Sequence, residues 1–310
     1  MSASVNALMR RSILLLSKDP RVVRSVQRYG MRFGAGRFVA GETLDECIRV
    51  LRRLSDRGFA TNTTLLGEGV ADATAAQAVV EEYLTVLGRL AQERLPTNLA
   101  VKLTHLGLNV SEDLAFRNVA QLVAQAASHP RFIRIDMEES SRVDPTLRIY
   151  RRLRAEGHEN VGTVIQAYLH RSEQDLQQLL PLRPNLRLVK GAYLEPPAVA
   201  FPKKSDVDRN LEHLIEMMLG KGGYAAIATH DDRIIARAIE FIGQQGIPRD
   251  RFEFQMLFGV RPQLQLDLLR KGFRVLIATP YGPDWYPYFM RRFAERPANV
   301  FFFVRNLFRG

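Results

Sequence analysis

The sequence is poor in the residues that cross-link a fold or bind a structural metal. Its 310 residues include one cysteine and six histidines. Cys47 has no partner for an internal disulfide, and the histidines are scattered without the close His and Cys pairs of a zinc site. No apolar run approaches the roughly 20 residues that a membrane-spanning helix needs. We therefore expect a reducing compartment, no structural metal and no transmembrane segment.

Acidic residues are scarce at the two ends of the chain. The formal net charge is +11, from 44 Lys and Arg against 33 Asp and Glu. Residues 1–41 contain eight basic residues and one acidic residue, residues 287–310 contain five and one, and the residues between contain 31 of each. A nucleic-acid-binding protein usually carries its basic residues on a face of its folded domain. The neutral middle of the chain therefore argues against nucleic acid binding.

Two common active-site signatures are also missing. We find no Gly-x-Ser-x-Gly turn of a serine hydrolase. The Gly-x-Gly formed by Gly67 and Gly69 continues to Asp72, without the third glycine of a dinucleotide-binding loop. The sequence therefore gives little support to a doubly wound open sheet, which is the competing α/β fold.

What the sequence does contain is a regular alternation of strand-like and helix-like segments. Eight short apolar or β-branched runs cover residues 59–66, 98–104, 131–136, 161–168, 186–190, 225–230, 251–257 and 274–279. Helical patterns lie at residues 73–94, 111–127, 142–156, 206–220, 231–245, 262–271 and 284–296. This order predicts an α/β chain closed into a (βα)8 barrel over residues 59–310. Residues 1–58 lack a strand signal and are predicted to form helices that pack on the barrel.

Polar residues collect at the predicted carboxyl ends of the strands, where enzymes with this fold carry their reactive groups. They are Glu68, Lys102, Asp136, Gln166, Arg187, Lys190, Thr229, His230 and Gln255. Burying an unpaired charge costs several kcal/mol, so these side chains need a polar ligand or each other. Basic residues predominate, which predicts a pocket for phosphate and carboxylate groups. Any one of them alone also fits a structural role, such as a helix cap or a core histidine.

The last predicted helix carries a second polar group. Tyr288 and Arg292 share a face, Arg291 lies beside them, and Glu295 follows one turn later. Paired arginines beside an aromatic ring can hold a planar carboxylate and its carbon skeleton. A solvated basic stripe, with an ion pair between Arg291 and Glu295, is the alternative.

The sequence resembles the proline dehydrogenase family in its short monofunctional bacterial form. The matching stretches are AVKL at 100–103, RIDMEE at 134–139, VIQAY at 164–168, RLVKGAY at 187–193, ATH at 228–230, FEFQML at 252–257 and the Tyr-x-x-Arg-Arg helix at 288–292. The resemblance implies a distorted barrel, non-covalent FAD, and oxidation of L-proline to 1-pyrroline-5-carboxylate with hydride transfer to the flavin N5. It further implies electron transfer to a membrane quinone, with pyrroline-5-carboxylate dehydrogenase as a candidate partner.

The family pattern also implies a role for each matching residue. Lys102, Arg291 and Arg292 would hold the proline carboxylate, and Glu68 would pair with Arg291 to close the site. The apolar wall around the ring would be Ala192, Tyr193, Leu257 and Tyr288. The flavin would contact Asp136, Val164, Gln166, Arg187, Lys190, Thr229, His230, Gln255 and Glu295, with Arg187 near N5. Ala278 stands where the family often has tyrosine, which predicts a wider wall there.

Two other functions remain open at this point. One is a Schiff-base barrel enzyme of the class I aldolase type, with Lys102 or Lys190 as nucleophile and Asp136 or Glu68 as proton shuttle. The other is a non-enzymatic membrane-surface protein that uses the basic ends. For the family reading, the same basic ends predict a cytoplasmic enzyme attached peripherally to the anionic inner face of the bacterial membrane.

Overall fold

The computed structural model describes residue 30, residues 35–67 and residues 69–295 of the chain, the last five by their backbone alone. Eight parallel strands close into a barrel in chain order, so that β1 pairs with both β2 and β8. The strands are β1 Ala60–Leu65, β2 Asn98–Lys102, β3 Ile133–Asp136, β4 Val161–Gln166, β5 Asn185–Val189, β6 Tyr224–Ala228, β7 Phe252–Leu257 and β8 Val275–Tyr281. The predicted (βα)8 barrel is confirmed.

Nine α-helices lie in the described part of the chain. They are α1 Leu44–Asp56, α2 Ala73–Gln92, α3 Glu112–Ala127, α4 Val143–Ala155, α5 Ser172–Leu179, α6 Lys204–Gly220, α7 Asp232–Gln244, α8 Pro262–Arg270 and α9 Trp285–Glu295. Short 3-10 turns occupy residues 35–37, 140–142, 180–182 and 249–251. None of the described helices is long and apolar enough to cross a membrane.

Local sequence explains where several helices begin. Asp72 and Ser111 lie at the N-caps of α2 and α3, where each side chain accepts a hydrogen bond from a backbone N–H of the first turn. Thr43 and Glu46 form a reciprocal capping box at the start of α1. Asp72 follows β1 and Ser111 follows β2, so these two caps mark where the chain turns back into a helix on the outside of the barrel.

Helix α1 covers the seam where the first and last strands meet. It packs against β1 and β8, and its apolar face buries Cys47, Leu51 and Leu54. The predicted boundary between residues 58 and 59 stays a prediction, since residues 1–29 lie outside the described part. The predicted strands match the observed ones to within a few residues at either end. Helix α5 was not among the helices that the sequence predicted.

Candidate functional site

The carboxyl ends of the strands form one end of the barrel, which we call the mouth. Four of the predicted site residues are the last residues of their strands: Lys102 in β2, Asp136 in β3, Gln166 in β4 and Leu257 in β7. Lys102 and Asp136 are partners in the parallel register of β2 and β3. The closed sheet therefore brings residues that are far apart in sequence to one end of the barrel.

Arg187 lies within β5 and connects three strands. Its Nη1 donates to Asp136 Oδ1 at 2.6 Å, and its Nε donates to Gln255 Oε1 at 2.6 Å. The Nη2 atom is buried and has no hydrogen-bond partner among the residues that the structure describes. A buried donor without a partner costs about 1–3 kcal/mol. The guanidinium is thus fixed on two edges and keeps one buried donor for a bound group.

Gln166, on the neighbouring strand β4, offers the complementary atom. The side chain is buried, and its Nε2 donates to the backbone oxygen of Glu138 at 3.2 Å. Its Oε1 is buried and has no partner within the described ranges. Val164, two residues earlier, is the register partner of Arg187. Adjacent strands therefore hold a buried donor and a buried acceptor, which suits a heterocycle that both accepts and donates hydrogen bonds.

Lys190 follows β5 and lies between two carboxylates. Its Nζ is 2.6 Å from Asp208 Oδ1 and 2.9 Å from Asp231 Oδ2. Burial opposes the ionisation of Asp231, but the hydrogen bond and charge of Lys190 outweigh it and lower the pKa of Asp231 to about 2. The positive charge of Lys190, for which the family resemblance implies contact with the flavin, is thus balanced by two acidic residues of the protein itself.

The end of β6 is tied to β7 by His230. The backbone N–H of Leu257 donates to His230 Nε2 at 3.0 Å, so this nitrogen acts as the acceptor. Thr229 is buried, and its Oγ1 accepts a hydrogen bond from the backbone N–H of Asp231 at 3.2 Å. Both side chains therefore shape the mouth through contacts with the backbone.

The turn after β1 packs closely against the loop after β2. Lys102 Nζ donates to the backbone oxygen of Gly67 at 3.2 Å. A Cβ atom on Gly67 would lie 2.4 Å from Cε1 of His105, so only glycine allows this approach. Burial, together with the charge of Lys102, lowers the pKa of His105 to about 4. A neutral, packed imidazole therefore supports the turn that leads to position 68.

The loop of residues 190–203 carries two residues of the predicted apolar wall. Ala192 is exposed and Tyr193 is 38% exposed. The loop is anchored by Glu195, whose two carboxylate oxygens accept from the N–H and the hydroxyl of Ser140, each at 2.7 Å. Tyr288, the second aromatic candidate, is half-buried on α9.

The structure describes only part of the group of residues that were predicted to hold the substrate carboxylate and to close the site. Glu68 and the side chains of Arg291, Arg292 and Glu295 lie outside the described residues. The backbone of residues 291–295 continues α9, as the sequence predicted for this segment. The roles of these four residues in substrate and flavin binding therefore stay predictions.

Several charged residues inside the barrel were missed by the sequence analysis. Arg134 is buried in β3, where its guanidinium donates to the backbone oxygen of Thr163 at 2.9 Å and to that of Asn185 at 2.7 Å. Glu253 is buried in β7, two residues before Gln255. Both strands read as charged or polar residues alternating with apolar ones, which is the signal that could have revealed inward-facing charges.

A cavity of about 730 Å³ lies at the opposite end of the barrel, which we call the foot. Its lining includes Asn98 and Asn185, the first residues of their strands, and the inward-facing Arg134, Arg187 and Glu253. The described residues contain no group of three or more His, Cys, Asp or Glu side chains that could hold a metal ion.

Comparison with known proteins gives the family. The sequence profile described as "Proline dehydrogenase" matches residues 47–305. The chain belongs to the proline dehydrogenase family. Proline dehydrogenase 1 of Bacillus subtilis (strain 168) is 42% identical over 302 residues, which are 97% of this chain and 100% of that protein. The proline dehydrogenase of Deinococcus radiodurans is 40% identical over 310 residues, with 99% and 100% coverage.

These full-length similarities establish proline dehydrogenase activity with proline as the substrate. The family therefore also removes the basis for the Schiff-base and the non-enzymatic alternatives. A solved structure with the same barrel is proline utilization A (PutA) from Bdellovibrio bacteriovorus inactivated by N-propargylglycine, with a TM-score of 0.82 and 23% identity. The match covers 93% of this chain and 36% of that longer protein, and at this identity it supports the fold alone.

Proposed function

We propose that this chain catalyses the FAD-dependent oxidation of L-proline to 1-pyrroline-5-carboxylate and passes the electrons to a membrane quinone. The assignment of a flavin cofactor is supported by two buried polar atoms near the mouth, Arg187 Nη2 and Gln166 Oε1. Neither atom has a hydrogen-bond partner among the described residues. An isoalloxazine ring offers both acceptor and donor atoms, so the residues present fit this cofactor.

The roles of the protein side chains follow from their positions. A bound flavin supplies N5 as the hydride acceptor for the ring carbon next to the proline nitrogen. Arg187, held by Asp136 and Gln255, would donate to the flavin ring, and Gln166 would accept from it. Lys190, Thr229 and His230 border the same end of the barrel, where they would contact the rest of the cofactor.

Substrate binding would use three cationic residues. Lys102, with Arg291 and Arg292, would hold the proline carboxylate and so orient the ring, because a fixed geometry lowers the barrier of hydride transfer. Leu257 would contact the ring from β7. Its register partner on β8 is Ala278, a small side chain. We therefore expect room for hydroxylated proline analogues on this side.

The cofactor assignment is tested by releasing the flavin from purified protein and determining its mass, which we expect to be that of FAD. Arg187→Met and Gln166→Leu should each raise the dissociation constant of FAD about tenfold, which is ~1.4 kcal/mol for one buried hydrogen bond. Arg209→Met, at a side chain that is 76% exposed, is the control and should leave it unchanged. Protein that binds FMN alone, or binds no flavin, would contradict the proposal.

Approach to a quinone in the bilayer requires contact with the membrane surface, and two features support it. The basic residues of 1–41 favour an anionic surface by about 1 kcal/mol each, screened by salt. Two exposed apolar side chains, Val110 at 44% and Leu194 at 79%, lie on loops that follow β2 and β5 at the mouth. The proposed location is therefore the inner face of the bacterial membrane, with peripheral and salt-reversible attachment.

The membrane proposal is tested by replacing four arginines of residues 1–41 with glutamine, namely Arg10, Arg11, Arg24 and Arg28. Binding to anionic vesicles and turnover with a vesicle-borne quinone should both fall, whereas turnover with a soluble dye acceptor should stay near the unmodified value. Equal losses with quinone and dye would show that these arginines act on the fold instead.

A further inference from the structure

A chain of polar contacts runs through the barrel interior from the mouth towards the foot. Arg187 bridges Asp136 and Gln255, as described above. Gln255 Nε2 then donates to Glu253 Oε1 at 2.6 Å, and Arg274 Nε donates to Glu253 Oε2 at 2.8 Å. Arg274 directly precedes β8 and is 56% exposed, whereas the side chain of Glu253 is 6% exposed. The side-chain amide of Gln255 thus links the buried carboxylate of Glu253 to the guanidinium of Arg187.

Glu253 determines which way the Gln255 amide points. The Nε–H of Arg187 can only donate, so it needs the amide oxygen. A carboxylate with no proton can only accept, so it needs the amide nitrogen. Without Glu253 the amide would lose the contact that fixes its NH2 group, and the oxygen opposite Arg187 would no longer be held in place.

Glu253 also balances charge in the interior. Two buried or nearly buried arginines, Arg187 and Arg134, line the same cavity as Glu253. Charges in a protein interior interact more strongly than charges in water, because less solvent screens them. Because a buried ion pair adds little net stability, we expect this carboxylate to act mainly on the orientation and charge balance of the groups around it.

We propose that Glu253 is a positioning residue for Arg187, which it holds through Gln255 so that the remaining guanidinium donor stays available to the flavin, and that its charge lowers the flavin reduction potential. The proposal rests on the proposed FAD-dependent function. Sequence patterns gave no role to Glu253 or Arg274, and neither is placed in contact with proline or flavin.

The charge effect is tested by measuring the reduction potential of the bound flavin. Glu253→Gln keeps the size of the side chain and an acceptor oxygen but removes the negative charge. We expect the ratio of reduced to oxidised flavin at a fixed potential to rise threefold to tenfold, the upper value being ~30 mV for a two-electron couple. Arg274→Gln should shift the ratio in the opposite direction and less, because this side chain is 56% exposed.

The matched control is Asp250→Asn, which removes a negative charge from an exposed residue that lines the same cavity but lies outside the chain of contacts. In Asp250→Asn the ratio of reduced to oxidised flavin at the same fixed potential should stay within twofold of the ratio in the unmodified protein. A Glu253→Gln protein that shows no larger shift than Asp250→Asn would overturn the proposal.

The positioning effect is tested by NMR on protein with 15N-labelled arginine, with and without flavin. The Nε–H resonance of Arg187, assigned by its loss in Arg187→Lys, should exchange with water at least tenfold faster in Glu253→Ala than in Asp250→Asn. Equal exchange rates would refute the contact. The flavin-free measurement separates the two proposals, because protein that binds no flavin refutes the proposed function and still reports on this contact. Should Glu253→Ala fail to fold, Glu253→Leu, which fills the same space without an acceptor oxygen, replaces it in this comparison.

Discussion

Buried His105 should make the stability of the protein depend on pH. The side chain is 7% exposed, lies against Gly67, and meets the ring of Tyr83 edge-on at 6.4 Å between centroids. Burial and the charge of Lys102 lower its pKa from the ordinary 6.5 to about 4. The perturbation that we consider is His105→Leu, which replaces the imidazole with an apolar side chain of similar size.

The sign and size of the effect follow from this pKa. Between pH 6.5 and about 4 the unfolded chain binds a proton at His105 and the folded protein does not. Stability therefore rises with pH across this window and is lost on acidification. Each pH unit is worth ~1.4 kcal/mol, so the whole window corresponds to about 3 kcal/mol. Above pH 6.5 His105 adds no pH dependence to the free energy of unfolding.

The assay is equilibrium urea unfolding at pH 7 and at pH 4.5. We expect the unmodified protein to lose about 2–3 kcal/mol more on acidification than His105→Leu. The exposed histidine His129 provides the control, since His129→Leu should keep the full loss. If His105→Leu lost as much stability as the unmodified protein, the buried neutral state of His105 would be refuted.

Three further predictions concern the loops and substrate binding at the mouth. Gly67→Ala should lower the free energy of unfolding by about 1–3 kcal/mol in urea titrations, because the new Cβ meets His105 at 2.4 Å. Gly88→Ala on α2 is the control: it has open space around it and should be neutral or stabilising. Glu195→Ala removes two hydrogen bonds of 2.7 Å to the turn after β3 and should speed proteolysis within residues 190–203, with no change if the loop is held by other contacts. Lys102→Met should raise KM for proline about tenfold in steady-state assays, and an unchanged KM would remove it from the carboxylate site.

The barrel could be predicted because most of its strands are buried on both faces and therefore appear as short apolar or β-branched runs. Helix α5 was missed for a related reason. It has eight residues, and two of its four buried side chains are the polar Ser172 and Asp175. A short helix with polar residues on its inner face lacks the apolar period on which such a prediction depends.

The site was predicted as far as strand ends could predict it. That Lys102, Asp136 and Gln166 lie together at the carboxyl ends of their strands follows from a parallel barrel alone. The partners inside the barrel do not, because Arg187 and Gln255 are 68 residues apart and lie on strands that are not neighbours in the sheet. Which inward-facing side chains meet depends on strand tilt and register, and these are properties of the closed structure.

The most direct test of the account is anaerobic mixing of the purified protein with L-proline, followed by absorbance at about 450 nm, where an oxidised flavin absorbs. We expect the band to bleach with one 1-pyrroline-5-carboxylate formed per flavin. Pyrrolidine, which lacks the carboxylate, should leave the band almost unchanged at the same concentration. A flavin that dithionite reduces and saturating L-proline does not would contradict the central claim.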